Sequence, residues 1–295
     1  MVNREHKDRL FKMIFGRPEH REWTLSLYNA VNGTDYEDPS CIEFNTLENV
    51  LFMGMKNDLS FILDCNLSVY EHQSSYNPNL PVRFLMYLGT LWSGWLYGSD
   101  DLDVYGTRLI ELPVPRFVVF YNGTEKESEE MVLRLSDAFP EAIRDKSDIE
   151  LKVTMLNVNS GKNTELMEKS RPLYEYAWLV DRIREGRKTM TIEAAVDKAL
   201  EEMPEDFQIK TFLMENRGAV KMSILTEYDE EKHMRLTRKQ SREEGREEGR
   251  KEGIDDLNSL NRWLIEQGRQ EDLIRSAMDN DLQAELLEEY RRSRA

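Results

Sequence analysis

Residues 56–74 constrain this chain more than any other stretch. Two short runs rich in Val, Ile, Leu, Phe and Tyr are interrupted by Asp64, Cys65 and Asn66, which reads as a β-hairpin. With Cys65 and Asn66 as the central turn residues, Asp64 faces Leu67, Ile62 faces Val69, Ser60 faces Glu71 and Asp58 faces Gln73. Side chains along a strand alternate faces, and directly opposed residues share one. Asp58, Ser60, Glu71 and Gln73 therefore fall on one face, with the His72 side chain on the other. Diagonal neighbours on a shared face lie roughly 7–8 Å apart at the backbone, so Asp58 and Glu71 can close on one cation. Mg²⁺ takes one or two protein carboxylates and keeps several waters. The plainer reading is that both acids sit at wet strand ends.

Composition narrows the class. The chain has 295 residues, 40% hydrophobic and 33% charged, which suits a globular protein with a very polar surface. Two cysteines, Cys41 and Cys65, make no disulfide framework and suit a reducing cytoplasm. The first nine residues are charged and do not read as a secretory signal, and no run approaches a membrane span. The four histidines are scattered without zinc-site spacing. A formal charge of −16 opposes broad electrostatic attraction to nucleic acid, so any DNA contact should be weak, metal-dependent and salt-sensitive.

Along the chain, residues 5–16 and 21–31 read as helices, the second ended by Asn32-Gly33. Residues 42–53 are a first strand of poor alternation. Asn77-Pro78-Asn79-Leu80-Pro81 marks the start of a helix reaching about Tyr97, with Phe84, Leu88, Leu91, Trp92 and Trp95 as its apolar stripe. Residues 116–121 form a strand buried on both faces, closed by Asn122-Gly123, and residues 151–159 form another. Residues 128–148 read as a polar insertion with an apolar patch at 131–135. From Asn163 on the pattern is helical: 164–169, 173–185, 191–203 and 206–228. Tyr174, Trp178 and Ile183 are spaced as a core stripe of one of these helices.

The tail carries a four-residue repeat, Arg242-Glu243-Glu244-Gly245-Arg246-Glu247-Glu248-Gly249-Arg250-Lys251-Glu252-Gly253. As a helix it stacks Gly245, Gly249 and Gly253 in one stripe. Each glycine costs roughly 0.8–1 kcal/mol relative to alanine there, so the segment reads either as a self-associating helix or as a flexible charged linker. Beyond it, Ile254, Leu257, Leu260, Leu264 and Ile265 make an amphipathic helix ending at Gly268, and residues 273–287 give one or two more.

Several separated blocks resemble the recombination-promoting nucleases, a transposase-like family of the PD-(D/E)XK nuclease superfamily. They are residues 57–61, residues 70–74, residues 77–83 with Tyr87, residues 116–123 and the Arg-Glu-Glu-Gly repeats. The resemblance implies an α/β fold: a mixed sheet flanked by helices, then a helical C-terminal half. It implies that Asp58 and Glu71 are the motif's acids, holding Mg²⁺ or Mn²⁺ with the main-chain carbonyl of His72. Gln73 stands where the superfamily usually has Lys, and would orient the attacking water. Lys56 and Arg83 could meet a DNA phosphate; Lys56 could equally be a solvated edge residue, and Arg83 could pair with a nearby acid and hold its helix to the sheet. The expected organisation is a nuclease-like core over 1–160, a helical extension over 161–230, the repeat over 231–253 and a small helical tail over 254–295. The expected activity is metal-dependent DNA hydrolysis by a cytoplasmic homo-oligomer. The rival is a nuclease-fold assembly protein working through its helices.

Overall fold

The computed structural model describes residues 10–44, 59–63, 65–98, 102–126 and 128–293. Asp58, Lys56, Asn57, the early helix before Leu10 and most of the expected first strand lie outside these residues. The chain divides into two compact units, Met1–Glu231 and Lys232–Ala295.

The first unit is built on a six-stranded mixed sheet. In chain order its strands are β1 (Glu43–Phe44), β2 (Leu59–Leu63), β3 (Asn66–Gln73), β4 (Val114–Tyr121), β5 (Glu130–Arg134) and β6 (Lys152–Asn157), arranged β1-β2-β3-β4-β6-β5. The central strands β3, β4 and β6 run parallel, while β1, β2 and β5 join antiparallel at the two sides. The apolar run Phe117-Val118-Val119-Phe120-Tyr121 of β4 follows from this placement, because central parallel strands are covered on both faces; β3 is buried from Leu67 to Gln73 for the same reason, although it carries Ser68, Glu71, His72 and Gln73.

Helices α1 (Leu10–Phe15) and α2 (Arg21–Asn32) precede the sheet, and Gly33 closes α2 at φ +65°, a conformation glycine adopts without a Cβ clash. Helix α3 (Leu80–Tyr97) crosses from β3 to β4 and packs Leu80, Phe84, Tyr87 and Leu88 against Leu67, Val69, Phe117, Val119 and Tyr121. The other face, with Phe61, Tyr70, Val118 and Phe120, is covered by α1, α2 and the later helices. Those are α4 (Thr164–Lys169), α5 (Arg171–Gly186), α6 (Ile192–Glu201) and α7 (Lys210–Glu215). Thr191 caps α6 through its hydroxyl, which accepts from the Ala194 amide. Among the described residues, no helix is long and apolar enough to cross a membrane.

Three expectations need correction. The hairpin pairs Leu63 with Asn66, Ile62 with Leu67 and Ser60 with Val69, a slip of two residues from the expected register. Alternation cannot separate registers two apart, since both keep every side chain on its face. The register is tied down from the next strand, where Asn66 pairs with Val114 and the Cys65 carbonyl accepts from the Val114 amide at 2.7 Å. The expected polar insertion contains β5. As an edge strand it buries only Leu133 fully and keeps charged Glu130 and Arg134 outside, so its composition imitates a loop. The expected helix over 206–228 is broken at Asn216, whose side-chain amide takes the Phe212 carbonyl. Before the break, the buried carboxylate of Glu175 accepts the Gln208 and Ile209 amides at 2.9 and 3.0 Å and holds that backbone out of a helix.

Helix α8 (Arg217–Glu266) carries the repeat and enters the second unit, which also contains α9 (Gln270–Ser276) and α10 (Asn280–Arg292). There Leu260, Leu264, Leu286 and Tyr290 form a small core, and Gly268 turns the chain at φ +71°. The repeat is helical and exposed throughout.

The glycines divide into two kinds. A Cβ at Gly123 would clash with the Ser74 carbonyl oxygen and the Tyr121 hydroxyl, whereas one at Gly249 meets nothing. Gly123→Ala should therefore lower stability by about 1–3 kcal/mol through overpacking. Gly249→Ala should raise the helix signal and stabilise α8 by about 0.8–1 kcal/mol. Urea denaturation followed by far-ultraviolet circular dichroism measures both.

Candidate functional site

Glu71, Gln73 and Val69 alternate along β3 on the face covered by α3, as the hairpin's alternation requires. The Glu71 residue is 1% exposed, an extreme position for a carboxylate. Its two oxygens are engaged separately. The Arg83 guanidinium lies 3.2 Å from Oε1, and the Gln73 amide nitrogen donates to Oε2 at 3.1 Å. Arg83 stands in the first turn of α3, and the same nitrogen donates to the Tyr87 hydroxyl one turn later at 2.9 Å. Of the two roles open to Arg83 in the sequence, the ion pair with a nearby acid is formed, and it fastens α3 to β3. Its side chain remains one-third exposed.

A buried carboxylate without a partner carries a large desolvation cost. Arg83 and Gln73 offset that cost for Glu71, as a charge-assisted hydrogen bond and an amide hydrogen bond together satisfy both oxygens. The environment also acts on Tyr87: burial, and then the Glu71 charge, push its hydroxyl up to about 12.

His72 points to the opposite face, as expected. Its ring stacks on Phe11 at 5.6 Å, and Nε2 lies 2.8 Å from the Tyr176 hydroxyl of α5. That hydroxyl accepts from the Asn122 side-chain amide at 3.2 Å. The Asn122 backbone amide donates to the Gln73 carbonyl at 3.1 Å, and its carbonyl accepts from Arg184. The carboxyl ends of β3 and β4 are thus held together by a buried polar chain. Nothing in the sequence pairs Asn122, Tyr176 and Arg184, which are far apart along the chain.

The carboxyl edge also holds a cation that the sequence reading passed over. Tyr121 accepts the Glu125 and Lys126 amides on its hydroxyl at 3.0 and 3.2 Å, and this turn sets the Lys126 ammonium 4.3 Å over the Tyr76 ring. Tyr76 follows Gln73 by three residues, so Lys126 stands beside the segment leaving β3.

As a metal centre the described residues are incomplete. Among them no group of three or more His, Cys, Asp or Glu side chains gathers. Glu71 supplies one hard oxygen donor of the type Mg²⁺ prefers, and Asp58, the second acid of the expected pair, lies outside the described residues together with Lys56. Compared with known proteins, the chain matches no family model, no curated protein and no solved structure.

Tyr87 gives the site a pH signature. Its folded pKa stands above the ordinary value near 10, so between about pH 10 and about 12 the folded state holds a proton that the unfolded state has lost. Stability should fall as pH rises through that window. Tyr87→Phe should flatten the fall, leaving a remainder from Tyr70 and Tyr121, which burial also raises. Denaturation midpoints collected across the window test this.

Proposed function

We propose that the protein is a metal-dependent DNA endonuclease of the PD-(D/E)XK type. One observation carries the reading: a buried carboxylate, Glu71, braced by Arg83 and Gln73 near the carboxyl end of a central parallel strand. Ligands of open α/β sheets gather at that edge. Asp58 is bonded to Leu59, which pairs with Tyr70, and Tyr70 is bonded to Glu71. That adjacency supports Asp58 and Glu71 as the acids that hold Mg²⁺ or Mn²⁺, with the His72 carbonyl as a third donor.

When bound, the cation would lower the pKa of a coordinated water and shield phosphoryl charge. The chain's own groups do the rest. Gln73 fixes the Glu71 carboxylate through its amide nitrogen, leaving its amide oxygen to accept a hydrogen bond from a water. Arg83 pairs with the buried Glu71 carboxylate and, with its exposed third, can meet a phosphate oxygen. Lys56 and Lys126 are further phosphate contacts in this reading. They supply positive charge locally on a chain of net charge −16. The superfamily's usual Lys is absent, which leaves more of the transition-state charge to the cation.

A second reading is favoured by one observation. Residues 239–255 are exposed along α8. The Gly245, Gly249 and Gly253 stripe is flanked by Arg242, Arg246 and Arg250 on one side and by Glu244, Glu248 and Glu252 on the other. Two such helices side by side and parallel would set each Arg flank against a Glu flank, whereas antiparallel pairing opposes like charges. This supports a homo-oligomer, and it holds whether the core cleaves DNA or serves only assembly.

Plasmid nicking by the full chain with Mg²⁺, Mn²⁺ or chelator tests the main reading. Activity should require the metal. Asp58→Asn and Glu71→Gln should each reduce it more than about 100-fold, beyond the 10–100-fold typical of groups that orient a ligand, the range expected for Gln73→Ala. Nicking that survives in both acid variants would remove the site.

A further inference from the structure

We infer that a pocket beside the carboxyl edge of the sheet binds one unpaired nucleotide, a stacked base carrying a phosphate. The inference deepens the nuclease reading by naming what that edge receives, but it stands on different residues. The pocket, about 480 Å³, lies between the loop after β6, α4 and α5, within the size range of small-molecule sites.

Its aromatic wall is made by Tyr174 and Trp178, one turn apart on α5. Trp178 is partly buried and packs against the core, as its spacing predicts, whereas Tyr174 is 47% exposed. Both rings are braced by the same residue: Phe207 meets Tyr174 at 6.0 Å and Trp178 at 5.5 Å, each edge-on. The Trp178 ring also carries the Arg182 guanidinium 5.3 Å from its centroid, so the exposed Tyr174 ring, held by Phe207, is the stacking surface at this wall, and every nucleobase offers a π-face to it.

The polar lining fits the rest of a nucleotide. Lys162 forms no side-chain hydrogen bond or ion pair among the described residues, in contrast to Arg171 at the same pocket, which is committed to Glu175 and Asp206. A free ammonium in a pocket also lined by Ser160 and Thr164 suits a phosphate. Glu168 is an acceptor for a base amino group or a sugar hydroxyl. On a chain this acidic, a site for an anion must rely on stacking as well as charge.

The pocket is joined to the proposed cleavage edge by bonded contacts. Asn159, at its rim, donates to the Gly123 carbonyl at 2.8 Å. Gly123 follows Asn122, whose amide is bonded to the Gln73 carbonyl. A strand lying along the carboxyl ends could place one base in the pocket and its backbone toward β3.

Calorimetric titration of the full chain in chelator, without metal, separates binding from cleavage. The probes are deoxyadenosine monophosphate and a short single-stranded oligodeoxyadenylate. Tyr174→Ala, at an exposed position, should weaken binding about tenfold, the scale of losing one stacked base. Lys162→Gln should weaken it and reduce its salt dependence. Binding of both probes, or of either alone, with these losses supports the pocket, and the probe that binds identifies a free nucleotide or a strand as the source. Binding of neither probe, or binding unchanged in both variants, overturns it. Retained binding in a protein that fails to nick DNA would reject the nuclease reading and leave the pocket standing.

Discussion

The first unit depends on one electrostatic constraint: a carboxylate, Glu71, is seated inside the layer between β3 and α3. Its charge is tolerable there only because Arg83 and Gln73 reach it. That requirement fixes the first turn of α3 against the end of β3 and orients Tyr87 one turn on. A hydrophobic residue at position 71 would pack the same layer with no desolvation to offset. The presence of an acid at this depth, with an arginine and an amide committed to it, is what lends the face a chemical rather than a merely structural reading.

The opposite face of the same strand is organised by polar contacts without a carboxylate. His72, Tyr176 and Asn122 form a buried chain, and Arg184 and Asn159 extend it across the ends of β4 and β6. The result is a stiff carboxyl edge, with the glycine at 123 giving room for β3 and β4 to meet. Rigid support of this kind is what a binding or catalytic constellation needs, since side chains held by packing and hydrogen bonds keep their geometry when a ligand arrives. The pocket of Tyr174 and Trp178 and the carboxylate of Glu71 approach this edge from its two sides.

Much of this was legible in the residues. Period-two alternation put Ser60, Glu71 and Gln73 on one face, and that holds although the hairpin closes two positions away from its expected register. The Asn32-Gly33 stop, the start of α3 and the Thr191 cap all follow from local chemistry. The failures share a cause. β5 is an edge strand whose one-sided burial looks like a loop, and the non-helical backbone at Gln208 and Ile209 is held by Glu175, more than thirty residues upstream. Tyr174 and Trp178 have core spacing on α5, but both rings meet Phe207, about thirty residues on, and only Trp178 packs against the core. The Asn122–Tyr176–His72 chain likewise joins residues that no short window contains. Long-range polar contacts and the difference between a half-covered and a covered aromatic ring are tertiary properties.

The central claim is that Glu71 is a metal ligand in waiting and not only the anchor of α3. Electron paramagnetic resonance of Mn²⁺ titrated into the full chain tests it most directly, with circular dichroism to confirm folding of each variant. The account predicts a single bound Mn²⁺ that disappears in Glu71→Gln and in Asp58→Asn. Absence of bound Mn²⁺ in the unaltered protein, or binding that persists in both variants, would contradict it.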